Sequence, residues 1–530
     1  MKISNLFKKF KPTLLPLIPI LILYLVLVSI GVKSVDFGYH WDERNTVGLV
    51  NKYVRTGNLL PGWYEYPTVT SYLALTTITP YVIPEVIHNG FEWKPIRAYL
   101  LSAVLNNNPT FQLNVRKIFL TTTMLTVVWV YLLVLITRKN WLEAFLAASF
   151  LGLSWEINYH ARWIATDGIM MQFGALTLLL SSLALLRPKQ RRWWLVGSAI
   201  AAGLAFGTKY TGGLLVLLPL FVTYQTRSKQ SSPWKTFSEL IIIALIFGAT
   251  FIITTPAILL DTEILIKNAT FQIRHYAGGH GRQTVSAGLQ HLSLLLVYLS
   301  VVMFSKYTAF ALAIFLLSLA GGYQYWKKSR ALAVMVIGFP IVFLLYFSTN
   351  RAMFVRNILV TVPFLAVLAA RGAVVIWNKL DLRSYRLVWA AVVAGMLAAN
   401  FLWISYSAGT ILDRSTDRFV FDLIDYIESH SDQLFLLSAR TEDAINKTGS
   451  PLPPNTTFSQ DDQADIFITY YYEPQLDEPA FWPSNRPNSA PQWIGPFEAN
   501  LSYYSWDGDD RLLLIPMDTA RQYSLLPVEN

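Results

Sequence analysis

The chain of 530 residues has no cysteine. That excludes a disulfide framework, a thiolate nucleophile and a Cys-ligated metal. Charge is scarce too. Only 14% of residues are Asp, Glu, Lys or Arg, against ~25% in soluble globular proteins. Acids are the scarcest, and they are unevenly spread. Residues 413–530 hold 20 of the 33 carboxylates but 7 of the 43 bases, leaving the first 412 residues at +23 and the rest at −13. The basic excess lies mostly in short loops between apolar runs, a pattern of membrane orientation and lipid phosphate contact rather than of nucleic-acid binding. Internal repeats, heptads and a nucleotide-binding signature are all missing, so no nucleotide cofactor is expected.

What is present is apolar surface: 53% of residues are hydrophobic and the mean hydropathy is +0.39. Apolar runs recur at 12–32, 118–137, 141–158, 168–186, 193–208, 210–226, 240–260, 307–326, 331–348, 357–370 and 387–408, all uncharged except 141–158, which holds Glu143 and Glu156. Each reads as a membrane-crossing helix, so the expected fold is mainly α, a polytopic membrane protein with about eleven crossings. The segments assigned to the cytoplasm hold 20 Lys and Arg against three acids, Glu143, Glu239 and Asp381. This bias puts the N-terminus inside, and the odd count puts the tail outside, in a plasma-membrane protein. Residues 33–115 form a first outer loop with short interfacial helices, and 261–305 a second long outer segment with an interfacial or re-entrant helix near 289–303. The domain division is 1–408 for the membrane module and 409–530 for a small extracytoplasmic α/β domain. There the spacing predicts a helix over 419–427, strands at 435–438, 465–472 and 511–515, and turns at 451–455 and 483–491.

The polar residues of the membrane part fall on the predicted outer face: Asp42, Glu43, Glu65, His160, Arg162, Asp167, Lys209, Arg274, His275, Arg351 and Arg356. An acidic pair about ten residues past a membrane run needs a reason. Group transfer from a lipid phosphate supplies one. A carboxylate, Asp42 or Glu43, takes the acceptor's proton. Cations hold the phosphate and stabilise it as it leaves: Lys209, Arg351 and Arg356, with Arg162 and His275 beside them. Asp167 positions the acceptor or joins Asp42 on a metal, and Glu65 with Tyr64 and Tyr66 contacts substrate. Each has a structural reading as well. Asp42, Glu43 and Asp167 suit helix N-termini, Lys209 the tip of a hairpin, and Arg351 and Arg356 interfacial anchors. His275 and His280 alone are a poor metal pair; a divalent cation stays open.

The residues His40-Trp41-Asp42-Glu43 and Tyr64-Glu65-Tyr66-Pro67 resemble the first outer loop of glycosyltransferase family 39, the protein O-mannosyltransferases and lipid A aminoarabinose transferases. Arg162-Trp163-Ile164-Ala165-Thr166-Asp167 is similar to that family's second outer loop. Gly203 to Gly212, with Lys209 at its centre, is similar to its Gly-rich hairpin. Arg351 and Arg356 before Pro363 and Arg371-Gly372 resemble its later Arg-then-Pro segment. The resemblance implies a GT-C membrane fold, a polyprenyl-phosphate-sugar donor and Asp42 as the base. The expected function is transfer of a sugar, with inversion, to an extracytoplasmic lipid, glycan or protein acceptor. A transporter or lipid flippase is the rival reading, disfavoured because the polar residues gather at one face and the halves show no repeat.

Overall fold

The structure, a computed structural model, describes residues 15–35, 43–105, 109–227, 232–280, 283–413, 416–438, 441–442, 445, 451–457, 463–470 and 512–522. Asp42, Arg282, Arg511 and the expected turn at 483–491 lie outside them.

The apolar runs are helices, as they must be where no water satisfies the backbone amides. Among the described residues eight are long and apolar enough to cross a membrane: Leu15–Val32, Thr110–Arg138, Thr166–Leu186, Pro233–Thr254, Thr308–Lys328, Arg330–Ser348, Val355–Lys379 and Arg383–Ala408. Trp141–Gly152, Tyr210–Gln225 and Leu289–Val301 are shorter apolar helices. Several runs depart from one continuous α-helix, among them 141–158 and 210–226. The run 141–158 stops at Gly152 and restarts as Trp155–Ala161. Ser154 makes the break: its hydroxyl accepts from Ile157 N at 3.3 Å, capping the second helix, and donates to Met303 O at 2.6 Å. The run 210–226 opens as a 3-10 turn over Tyr210–Val216 before the α-helix Leu217–Gln225.

Glu143, an acid in an apolar run, is buried and ion-paired. Its carboxylate accepts from Arg371 Nη1 at 3.2 Å and stands 3.4 Å from Arg138 Nε, so the charge is compensated by an arginine at the end of one helix and by one within another. The helices Thr308–Lys328 and Val362–Lys379 meet at a pair of glycines. A Cβ on Gly321 would stand 1.8 Å from Leu368 O, and one on Gly372 2.0 Å from Leu317 O. Only small residues permit that backbone approach. Gly372→Ala is therefore expected to lower stability by about 1–3 kcal/mol. Thermal unfolding in detergent measures it, and an unchanged midpoint would contradict the close crossing.

The segment between the first two crossings includes the short helices Glu43–Thr56, Val69–Leu75, Thr79–Asn89 and Trp93–Tyr99. Val50, Val54, Ala74, Ile78, Ile96, Leu100 and Val104 share one core with Phe111, Val115 and Phe119 on the long helix Pro109–Arg138, and with Ile164 and Ile169. That core presses the loop against the start of the helix Thr166–Leu186, where the polar residues collect.

Contacts divide the chain into two compact units, the second made of 36–39, 281–284 and 407–530. Its sheet comprises β1 (Phe435–Leu437), β2 (Thr456–Thr457), β3 (Ile466–Tyr470) and β4 (Leu512–Pro516), in the order β2-β1-β3-β4. β1 runs parallel to β2 and β3, and β4 is antiparallel to β3. Alternation along β1 feeds two faces. Phe435 and Leu437 pack with Leu423, Ile424 and Ile427 of the helix Thr416–Ser429. Leu436 packs with Phe467, Met517 and Ala520.

Candidate active site

The Gly-rich hairpin exists to bury a lysine. The helix Arg191–Phe206 ends, Gly207 and Thr208 turn the chain, and Lys209 is extended (φ −151°, ψ 137°) before the 3-10 turn. Gly212 lets the turn fold back: a Cβ there would stand 2.3 Å from Ala205 O. Lys209 is 4% exposed. Its Nζ donates to Asp167 Oδ1 at 2.7 Å and to Asn357 Oδ1 at 2.5 Å. The rings of Tyr66 and Tyr276 lie 5.9 and 5.7 Å from it. An ammonium taken out of water needs such partners: a carboxylate, an amide oxygen and two ring faces.

Asp167 is the second residue of its helix and is buried. Its side chain does not cap that helix; it turns to Lys209, and Arg356 Nε stands 3.7 Å from its other oxygen. The Arg356 guanidinium lies over the rings of Trp163 (5.3 Å) and Phe354 (4.8 Å). These groups end an open cleft of about 310 Å³ lined by Asn45, Thr46, Tyr66, Trp163, Asp167 and Arg356, with the backbone of 164–166.

Of the acidic pair, the structure describes Glu43. Glu43 is fully buried. Its carboxylate accepts from Arg116 Nη2 at 2.6 Å, Arg116 Nε at 3.0 Å, Gln112 Nε2 at 2.7 Å and Ile164 N at 2.9 Å. Arg116 Nη1 in turn donates to Val35 O at 2.7 Å. Glu43 thus ties the helix Glu43–Thr56 to the long helix and to the loop before Asp167. Its covalent neighbour Asp42 lies outside the described residues. Two and three positions beyond Glu43, Asn45 and Thr46 line the cleft.

The other expected site residues separate. Tyr66 faces Lys209, but Tyr64 is a buried strut. Its hydroxyl donates to Asp261 Oδ2 at 2.9 Å, and Tyr210 OH donates to its carbonyl at 2.8 Å; burial raises the Tyr64 phenol above its ordinary pKa, so it stays a donor. Glu65 accepts from Gln272 Nε2 at 2.6 Å. Arg351 is exposed, and its backbone pairs with Tyr276 and Val285. Arg162 is buried away from the cleft lining, with Nη2 3.4 Å from Ile404 O. His275 Nε2 and His280 Nδ1 are 3.0 Å apart. Among the described residues, no group of three or more His, Asp or Glu is arranged to hold a metal ion.

Residues 95–253 match the family model described as dolichyl-phosphate-mannose-protein mannosyltransferase. The fold superposes on ArnT from Cupriavidus metallidurans in the apo state over 83% of this chain and 86% of that one, with a TM-score of 0.51 at 14% identity. The chain is a membrane glycosyltransferase of the GT-C fold. ArnT from the same organism bound to undecaprenyl phosphate gives a TM-score of 0.48 at 14% identity, covering 83% of this chain and 86% of that one. The oligosaccharyltransferase AglB from Archaeoglobus fulgidus, in complex with an inhibitory peptide and a dolichol-phosphate, gives 0.47 at 12% identity, covering 85% and 61%. No curated protein matches by sequence.

Three residues of this glycosyltransferase escaped the sequence reading. Arg116, which enters an apolar run beside Lys117, carried a usable signal, since a charge there calls for a partner. Trp163 sat inside a recognised stretch without a role of its own. Asn357 carried no signal beyond following Arg356. With Arg356 and Asp167 lining the cleft and Lys209 behind Asp167, one positive charge is in excess, and the arrangement favours an anionic group there.

Proposed function

We propose that the enzyme moves a hexose or pentose from a polyprenyl-phosphate donor to an extracytoplasmic lipid, glycan or protein acceptor, with inversion. The observation that carries this reading is the Asp167–Lys209–Arg356 group, with its one positive charge in excess, closing a cleft walled by Tyr66 and Trp163. The donor class is supported by the description of the family model matched by residues 95–253. In the proposed step Asp42 takes the proton of the acceptor hydroxyl as its oxygen bonds to the anomeric carbon. The bond from that carbon to the phosphate oxygen breaks, and polyprenyl phosphate leaves with its new charge on Arg356 and Lys209. One displacement inverts the anomeric centre. Asp167 holds both cations in place, and Tyr66 offers a ring face to the sugar. Basic loops support a cytoplasmic N-terminus and an extracytoplasmic site, with the acidic domain after residue 408 on the same side.

Arg356→Ala is expected to raise the donor KM about thirtyfold, the equivalent of roughly 2 kcal/mol for a hydrogen bond to a charged group. The acceptor KM should hold. Steady-state kinetics with a polyprenyl-phosphate sugar tests this; an unchanged donor KM would remove Arg356 from the phosphate site.

A further inference from the structure

Asn357 has no role in the step above, yet it sits against Lys209 with half of its amide unused. The side chain is 1% exposed. Its orientation follows from chemistry. An ammonium has only donors, so the atom 2.5 Å from Lys209 Nζ must be the amide oxygen, and Tyr276 OH reaches the same oxygen at 3.4 Å. The nitrogen Nδ2 is then committed to the opposite side. It is buried and has no hydrogen-bond partner. Buried amide donors are nearly always satisfied, and an unsatisfied one asks for an acceptor that arrives later. The position is one residue from Arg356 and one shared lysine from Asp167, both of which line the cleft.

We propose that Asn357 is a donor-binding residue, whose Nδ2 hydrogen-bonds an oxygen of the sugar-phosphate head while Oδ1 holds Lys209. This rests on the polyprenyl-phosphate reading above and adds to it. A neutral amide at this position also keeps the surplus positive charge that a second carboxylate would cancel. An Asn that served only to orient Lys209 would be replaced without loss by Asp, whose carboxylate is the stronger acceptor for an ammonium. A donor-binding Asn would not, because Asp has no N–H and repels the phosphate.

The test uses the purified full chain in detergent. Binding of undecaprenyl phosphate is measured by native mass spectrometry, and transfer from a polyprenyl-phosphate sugar by steady-state kinetics, for the wild type, Asn357→Asp and Asn357→Gln. Asn357→Asp is expected to keep its unfolding midpoint and acceptor KM, and to weaken lipid-phosphate binding and raise the donor KM about tenfold or more. Asn357→Gln, which retains the N–H on a longer arm, should recover part of the loss. Unchanged binding and donor KM in Asn357→Asp would overturn the assignment while leaving the transferase reading intact. A wild type that binds undecaprenyl phosphate, loses it in Asn357→Asp and transfers no sugar would support Asn357 and defeat the transfer reading. A wild type that does not bind it overturns both.

Discussion

Asp42→Asn is expected to lower kcat about 10²–10⁴-fold, the range for losing a positioned general base, with the fold and donor binding intact. Asp42 is the base that the family resemblance implies, and Glu43 is not free to take its place. Glu43 spends both oxygens on Arg116, Gln112 and the Ile164 amide, and no solvent reaches it. A carboxylate so engaged cannot take a proton from an acceptor without breaking the contacts that hold the loop. Asp42 is bonded to this fixed point, beside the turn that carries Asn45 and Thr46 into the cleft. Asp167 is the carboxylate that lines the cleft among the described residues, but it neutralises Lys209, and its removal would disturb phosphate binding. The variants therefore separate: Asp42→Asn should lower kcat with the donor KM unchanged, whereas Asp167→Asn should move the donor KM. An active Asp42→Asn enzyme would send the search for a base back to Asp167.

Glu43→Gln should fail in a different way. The two oxygens of Glu43 face donors only, and a glutamine turns an NH₂ group toward them. It also leaves Arg116, at 1% exposure, as a buried charge without its counter-ion. Breaking one partner of a buried pair costs about 3–5 kcal/mol. The loop then loses its tie to the long helix and to the segment before Asp167, so unfolding shifts down and activity falls together with stability. The double variant Glu43→Leu with Arg116→Met should recover much of the stability, since a packed apolar pair can replace a buried ion pair. Thermal unfolding of the single and double variants in detergent measures this. If Glu43→Gln melts with the wild type and only kcat drops, Glu43 is a catalytic acid and not a strut.

These contrasts mark where the sequence was readable. Uncharged runs announce helices, because length and the absence of charge are local properties; Leu15–Val32 and Thr166–Leu186 stand close to where the runs put them, while Pro233–Thr254 begins seven residues before its run. The Ser154 break was missed because one serine followed by Trp155 and Glu156 is a weak local signal, and what fixes it is a bond to Met303, far along the chain. The convergence of Asp167, Lys209 and Arg356 could be suspected from loop placement, yet their pairing spans distances of 42 residues and more. Arg351 and Arg356 look alike in sequence. Only packing separates an exposed arginine from one laid over Trp163 and Phe354. Tyr64 and Tyr66 look equally apt to touch sugar, but Tyr64 is consumed by Asp261.

The central claim is the lipid-phosphate donor, and one measurement addresses it directly. Purified enzyme in nanodiscs is given a panel of polyprenyl-phosphate hexoses and pentoses, labelled in the sugar, together with lipids and glycans extracted from the cell envelope. Free polyprenyl phosphate and label on acceptor are counted together. The account predicts one polyprenyl phosphate released for each label transferred, with both lost in Asp42→Asn. Consumption of a nucleotide sugar with no release of polyprenyl phosphate from any donor would contradict it.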